Sequence, residues 1–290
     1  MLNLKPIQID EEKFLYEHCS LPELPSILTK LRQMIQSDEV GTRKVAKLIS
    51  TDAPLVAQIL KLVNSPYYSI PREISNLNIA VAYLGLNEIY RLAMTLSVVK
   101  NLASKDKEAF KDIWFHSVFT ALCANYLARK FYHKIDLNEL WSSAILHDIG
   151  KLVYLKFFPE HYKAIREHSI AQGCFFCDSE KFFEFPPSAY LGTLLCDRWR
   201  LPQKVKAACS THTFYDFEQT IDQPPKDSFI PVISMSNLLT LMITDPLKPD
   251  LSDIITKTII KFLKIPETSF PLLMTDVLGL KENARDLKIT

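Results

Sequence analysis

The sequence predicts an all-α protein. Three observations carry that prediction: six glycines in 290 residues, prolines at segment ends, and apolar residues spaced by three and four almost throughout. So few glycines leave few positions for the positive-φ turns that hairpins and phosphate-cradling loops require. The pairs Leu21-Pro22, Pro186-Pro187 and Pro224-Pro225 stand where proline opens or stops a helix without interrupting one.

The elements follow in order. Ile27, Leu28, Leu31 and Ile35 form a first apolar stripe, Val45, Leu48 and Ile49 a second, and Leu55, Val56, Ile59, Leu60 and Val63 a third. Asp52 before Pro54 has the order of an N-cap and a first-turn proline, and Gly85 ends the segment Asn78 to Leu84 as a C-terminal cap glycine would. A long helix follows from about Glu108 to Lys130, with Trp114, Val118, Ala121, Leu122 and Leu127 on its buried side. Shorter helices are expected near Leu137 to His147, Lys151 to Phe158, and Pro159 to Gln172 with Gly173 as terminator. Ser188 to Trp199, Gln203 to His212, Phe229 to Met242, Ser252 to Phe262 and Leu272 to Leu278 complete the series. Tyr215 to Asp227 is acidic, contains prolines and lacks periodicity, so it reads as an exposed loop.

Composition narrows the function classes. Hydrophobic residues make up 48% and charged residues 23%, as in ordinary folded domains, and the net charge is +1. No global field favours nucleic acid or anionic membrane, and basic and aromatic residues are not interleaved along one face as single-strand binders require. The acidic start, with Asp10, Glu11 and Glu12, is unlike an export signal, and the longest apolar stretch, Phe229 to Ile243, is shorter than a bilayer span. The expectation is therefore a cytoplasmic protein without membrane insertion, with its six cysteines reduced. Cys174 and Cys177 have redox or zinc spacing but no second pair, and are read as core or loop packing.

The residues with most chemical potential are His147-Asp148-Ile-Gly-Lys151. Adjacent helical residues diverge by about 100°, so His147 and Asp148 can reach one cation only if a helix ends there, and Gly150 supplies that ending. An antiparallel return would bring His116 of the long helix beside them, making two imidazoles and a carboxylate, a set suited to Mn, Fe or Zn. The other reading makes His116 a core-facing helical residue and His147-Asp148 a hydrogen-bonding helix end. Lys151 and His212 are candidates for contacting a phosphate, with a solvated position in the next helix as the alternative for Lys151. Asn64-Ser65-Pro66 reads as a turn-fixing sequence. With Tyr67 and Tyr68 it is also a candidate partner surface, as is the aromatic stretch through Phe175, Phe176, Phe182, Phe183 and Phe185, which has folding back over the core as its alternative.

These residues resemble a known family, the HD-related output domain or HDOD, a divergent branch of the HD phosphohydrolase superfamily. The resemblance covers about Leu21 to Phe214. It rests on Leu21-Pro22-Glu-Leu-Pro25, Asp52-Ala-Pro-Leu55, Ile59-Leu60-Lys-Leu-Val-Asn64-Ser65 and Ile79-Ala-Val-Ala-Tyr-Leu-Gly85, then Trp114-Phe-His116-Ser117, Ile145-Leu-His147-Asp148-Ile-Gly-Lys151 and Gly192-Thr-Leu-Leu-Cys-Asp-Arg-Trp199-Arg-Leu-Pro202.

The resemblance implies a multi-helical HD-like core packed against an N-terminal helical subdomain, and a regulatory role in bacterial signal transduction. It divides the chain into an extension 1–20, a helical subdomain 21–107, an HD-like core 108–214, and a loop with C-terminal helices 215–290. Active HD-GYP-like enzymes carry a histidine four residues before the glycine matching Gly192, a His-His pair after the next helix, and a distal metal-binding aspartate. Here Ser188, Thr211-His212 and Asn237 stand at those places. Hydroxyls and an amide in place of ligands imply a degenerate site in which His116, His147, Asp148 and Asn237 are vestigial candidates. No cofactor beyond a weakly held divalent ion is then expected, nor catalysis. The expectation is a stand-alone regulatory protein acting on signalling proteins or through self-association of its C-terminal helices. The alternatives are a metal-dependent phosphohydrolase or phosphodiesterase, and a nucleotide or cyclic-dinucleotide sensor that binds without hydrolysis.

Overall fold

The computed structural model describes residues 24–36, 41–65, 67–68, 70–220 and 228–287. The predicted extension 1–20, Cys19, and the Pro224-Pro225 part of the predicted loop lie outside them. The described residues are helical with no strand, and group into two compact units, one within Ala103–Lys281 and the other within Pro22–Leu102 and Glu282–Thr290.

The smaller unit contains α1 (Ser26–Gln36), α2 (Thr42–Ile49), α3 (Ala53–Val63), α4 (Leu77–Leu84) and α5 (Leu86–Asn101). The expected signals work here. Asp52 accepts a hydrogen bond from the Leu55 amide with Pro54 in the first turn, and Gly85 takes the positive φ of 81° that closes α4. Helix α5, which the apolar spacing did not predict, is the centre of the unit and packs against α1, α3 and α4. Leu92 to Val99 are buried without interruption, so this half of the helix has no exposed side to set off a three-and-four stripe.

Asn64 fixes the turn after α3. Its amide donates to the carbonyls of Leu60 and Ile74 at 3.0 and 2.8 Å, and its carbonyl accepts the Ile74 amide at 2.7 Å. Asn64→Ala orphans that amide and is expected to cost roughly 1–3 kcal/mol, read as a lower urea midpoint at unchanged slope. Tyr68 donates from its hydroxyl to Glu88 at 2.6 Å, and Tyr67 packs edge-on against Tyr68, both rings being half-buried.

The larger unit is built around α6 (Lys107–Phe131), which packs against α7 (Leu137–Leu146) and α14 (Phe229–Thr244). Asp106 caps α6, and Trp114, Val118, Ala121, Leu122 and Leu127 are all buried, as their spacing predicted. Between α7 and α14 the chain forms α8 (Ile149–Phe157), α9 (Pro159–Gln172), α10 (Phe176–Phe182), α11 (Ser188–Arg198), α12 (Gln203–Ser210) and α13 (Phe214–Thr220). It continues through α15 (Pro249–Leu263), a 3-10 turn at Glu267–Ser269, α16 (Phe270–Gly279) and α17 (Lys281–Asp286), whose residues from Glu282 fall in the smaller unit.

Two segments differ from expectation. Phe214–Thr220 is helical rather than loop, because Phe214 and Phe217 are buried and give it an apolar side that the acidic residues around it obscured. The aromatic stretch is also partly helical. Phe175 is buried against Phe214 while Phe182 is exposed and stacked on His168, so the stretch divides between core and surface. The five described cysteines are unbridged, and Cys174 lies beside Ser179.

Candidate metal centre

Helix α7 carries seven consecutive buried residues, Leu140 to Leu146, and delivers His147 into the interior. The helical path breaks at Asp148, whose φ of −109° and ψ of 21° separate α7 from α8. The expected break is therefore present, but Gly150 does not make it. Gly150 sits inside the first turn of α8, and a Cβ there would lie 1.8 Å from the Ser188 carbonyl oxygen. Gly192 of α11 faces it, with its own added Cβ 3.3 Å from the Gly150 nitrogen, so paired glycines let α8 and α11 close together.

Four side chains converge on the buried Asp148 carboxylate. Lys151 Nζ is 2.6 Å from Oδ2, and the same oxygen is 3.4 Å from His116 Nε2 and 3.5 Å from His147 Nε2. His212 Nε2 is 3.1 Å from Oδ1. The His147 ring lies 5.5 Å from that of His116 and 5.0 Å from that of His212. Asn237 lies beside His116, donates from its amide to the His212 carbonyl at 3.2 Å, and leaves its own Oδ1 buried without a hydrogen bond.

The backbone fixes how the imidazoles present themselves. His147 Nδ1 donates to the Ala144 carbonyl at 2.6 Å, and His212 Nδ1 faces the carbonyls of Ala208 and Cys209 at 3.1 and 3.0 Å. A carbonyl only accepts, so Nδ1 carries the hydrogen in both rings and Nε2 points at the carboxylate side. Burial above all, opposed by Asp148, lowers the pKa of His147 to about 3. Burial and then the Lys151 charge lower that of His116 to about 4, so both rings are neutral near pH 7. Burial alone would raise the Asp148 carboxyl, but Lys151, His147 and His212 outweigh it and hold the group well below the usual carboxylate range. The result is an anion facing one ammonium and the neutral rings of His116 and His147.

These residues fit a divalent cation. Among the described residues, one set of three metal-ligating side chains has donor atoms all within 4.8 Å of one another: His116, His147 and Asp148. The Nε2 atoms of His116 and His147 are buried and lack a hydrogen bond, and their lone pairs are what a borderline-soft ion takes.

The other expected positions are arranged differently. Ser188 is buried, with its amide donating to Glu180 Oε1 at 2.8 Å. Thr211 is exposed and gives its hydroxyl to the Ala207 carbonyl of α12, the helix it follows, at 2.8 Å. Lys151 is not a solvated residue: its side chain is 15% exposed and its charge rests on Asp148. His212 faces the carboxylate itself. Asn64, Ser65, Tyr67 and Tyr68 belong to the other unit and take no part in this cluster. Three nearby side chains carried no sequence signal. Arg166 grips Asp245 through both guanidinium nitrogens at 2.8 and 3.2 Å, and burial pushes the Glu180 carboxyl up to about 7.

The family model for the HDOD domain matches residues 21–214. The chain belongs to the HDOD family. Solved structures place this HDOD chain's fold among known ones. An HDOD domain protein from Geobacter sulfurreducens is 20% identical at a TM-score of 0.70, with 97% of each chain covered. A candidate metal-dependent phosphohydrolase from Shewanella amazonensis is 18% identical at 0.68, with 96% of each covered. A candidate signal transduction protein from Marinobacter aquaeolei is 17% identical at 0.68, covering 98% of this chain and 61% of that one. An uncharacterized protein of Treponema pallidum is 26% identical over 185 residues, and the protein YuxH of Bacillus subtilis 31% over 101. The HDOD chain spans 36% and 24% of those two relatives, and 64% and 35% of the chain is matched. Among the described residues, no helix is long and apolar enough to cross a membrane.

Proposed function

We propose that this HDOD chain is a non-catalytic regulatory module of bacterial signal transduction, acting by binding another protein, in which the HD-derived site holds at most one divalent cation. The supporting observation is the poverty of anionic ligands. Asp148 is the one carboxylate of the cluster, and Lys151 already neutralises it at 2.6 Å. Ser188, Thr211 and Asn237 add no charge at the places where the family's enzymes carry further ligands. A cation bound by His116, His147 and Asp148, with His212 beside them, would supply local positive charge. A hydrolase must also hold its metal firmly, keep a position open for water, and clamp a phosphate.

The test is elemental analysis of tag-free protein from cells grown with added Mn and Fe, together with hydrolysis of bis(p-nitrophenyl) phosphate in added Mn. The expected outcome is one metal ion per chain or less, diminished in His147→Ala, with no phosphate ester cleaved. Hydrolysis that vanishes in Asp148→Ala would overturn the reading. It would favour a metal-dependent phosphohydrolase, to which the three clustered imidazoles lend some support. Saturable nucleotide binding without turnover would instead mark a sensor.

A further inference from the structure

The ammonium of Lys151 sits on the carboxylate oxygen a metal needs. Its Nζ lies 2.6 Å from Asp148 Oδ2, and that same oxygen is the carboxylate atom nearest to both His116 and His147. The seat is well formed: Nζ lies 5.1 Å from the centre of the Phe176 ring, and the side chain is 15% exposed. It is also incomplete. Lys151 balances the charge of Asp148 but donates to neither imidazole, so the Nε2 atoms of His116 and His147 remain buried without hydrogen bonds. A divalent ion would satisfy the carboxylate and both nitrogens together. It would have to share its anionic ligand with a positive charge or displace it.

We propose that Lys151 is an internal counter-ion that competes with a divalent cation for Asp148, so that metal occupancy and the seated position of the Lys151 ammonium exclude each other. This rests on the single-ion site proposed above and gives that site a means of signalling. The lysine has a flexible four-carbon stem and stands three residues beyond Asp148 in the first turn of α8. Released from the carboxylate, the ammonium stays beside Phe176 and within electrostatic reach of Glu180 and Asp245. Metal binding would then be read outside the cluster as a newly mobile ammonium beside Phe176.

The experiment compares Mn affinity, measured by electron paramagnetic resonance of free Mn, in the wild-type chain, Lys151→Gln and Lys151→Met, with Asp148→Asn as the non-binding control. Folding of each is checked by circular dichroism melts. The expected result is binding tighter by about tenfold or more in the lysine variants. Equal or weaker affinity in a folded variant, or no binding by wild type and folded variants alike, overturns the proposal. Should both variants fail to fold, acetylation of Lys151 in the wild-type chain decides, followed by peptide mass spectrometry. Labelling that rises with millimolar Mn supports the competition, and labelling that does not change overturns it. Phosphate-ester hydrolysis by the Mn-loaded wild type would instead sink the non-catalytic reading while leaving the competition standing.

Discussion

Gly150→Ala is expected to be the most damaging single methyl group in the larger unit. The added Cβ would lie 1.8 Å from the Ser188 carbonyl oxygen and 2.6 Å from its carbonyl carbon, and both are backbone atoms. No side-chain rotation relieves the clash, so α8 and α11 must separate. Overpacking that displaces side chains costs about 1–3 kcal/mol, and a backbone collision lies at or beyond the upper end. A fall in melting temperature on the order of 10 °C follows for a unit of this size, measured by calorimetry. Gly41→Ala is the control, since nothing lies within 4 Å of the added atom there. A melting temperature within 2 °C of wild type, as a rough threshold, would show that the two helices do not meet as described.

The second large effect is on pH. His116 and His147 titrate near 4 and 3 in the folded protein and near 6.5 when unfolded. Between those values the unfolded chain binds protons that the native chain refuses. Stability is therefore full above about pH 6.5 and declines as the pH falls toward the folded values, by about 1.4 kcal/mol per pH unit for each histidine. Asp148 has the opposite kind of shift: its contribution is complete above about pH 3.9 and is lost only in stronger acid, as the pH falls through its depressed folded value. From pH 6.5 to 4.5 the two histidines together would remove up to about 5 kcal/mol from the metal-free protein. Urea unfolding at half-unit steps measures the slope, and His116→Asn should roughly halve it. A flat profile across that window would mean that the imidazoles are charged or solvated in the native state.

The sequence and the structure agree where a local rule acts alone. Asp52, Pro54 and Gly85 mark helix ends through cap chemistry that needs no tertiary partner, and α6 shows its buried side through spacing. Agreement fails where tertiary packing sets the residue's role. Gly150 looks like a helix terminator because glycine so often is one, yet its task is to admit the backbone of α11. The meeting of His116 with His147 and Asp148 was legible from an antiparallel return between two amphipathic helices. His212 facing the same carboxylate, and Lys151 seated on it, were not, because both depend on how α8, α12 and the chain after α12 are placed in space. Glu180 gave no signal that set it apart from Asp178 and Glu184 in the same aromatic stretch, yet it is buried and accepts the Ser188 amide.

Helix α5 has a consequence for how the smaller unit comes apart. An amphipathic surface helix can detach and leave its neighbours in place, but α5 is enclosed by α1, α3 and α4, with Leu92, Ala93, Met94, Leu96, Val98 and Val99 all buried. Its amide hydrogens can meet solvent only when those neighbours depart together. The expected outcome is that hydrogen exchange finds no intermediate in which α5 persists by itself, the unit opening as one cooperative event.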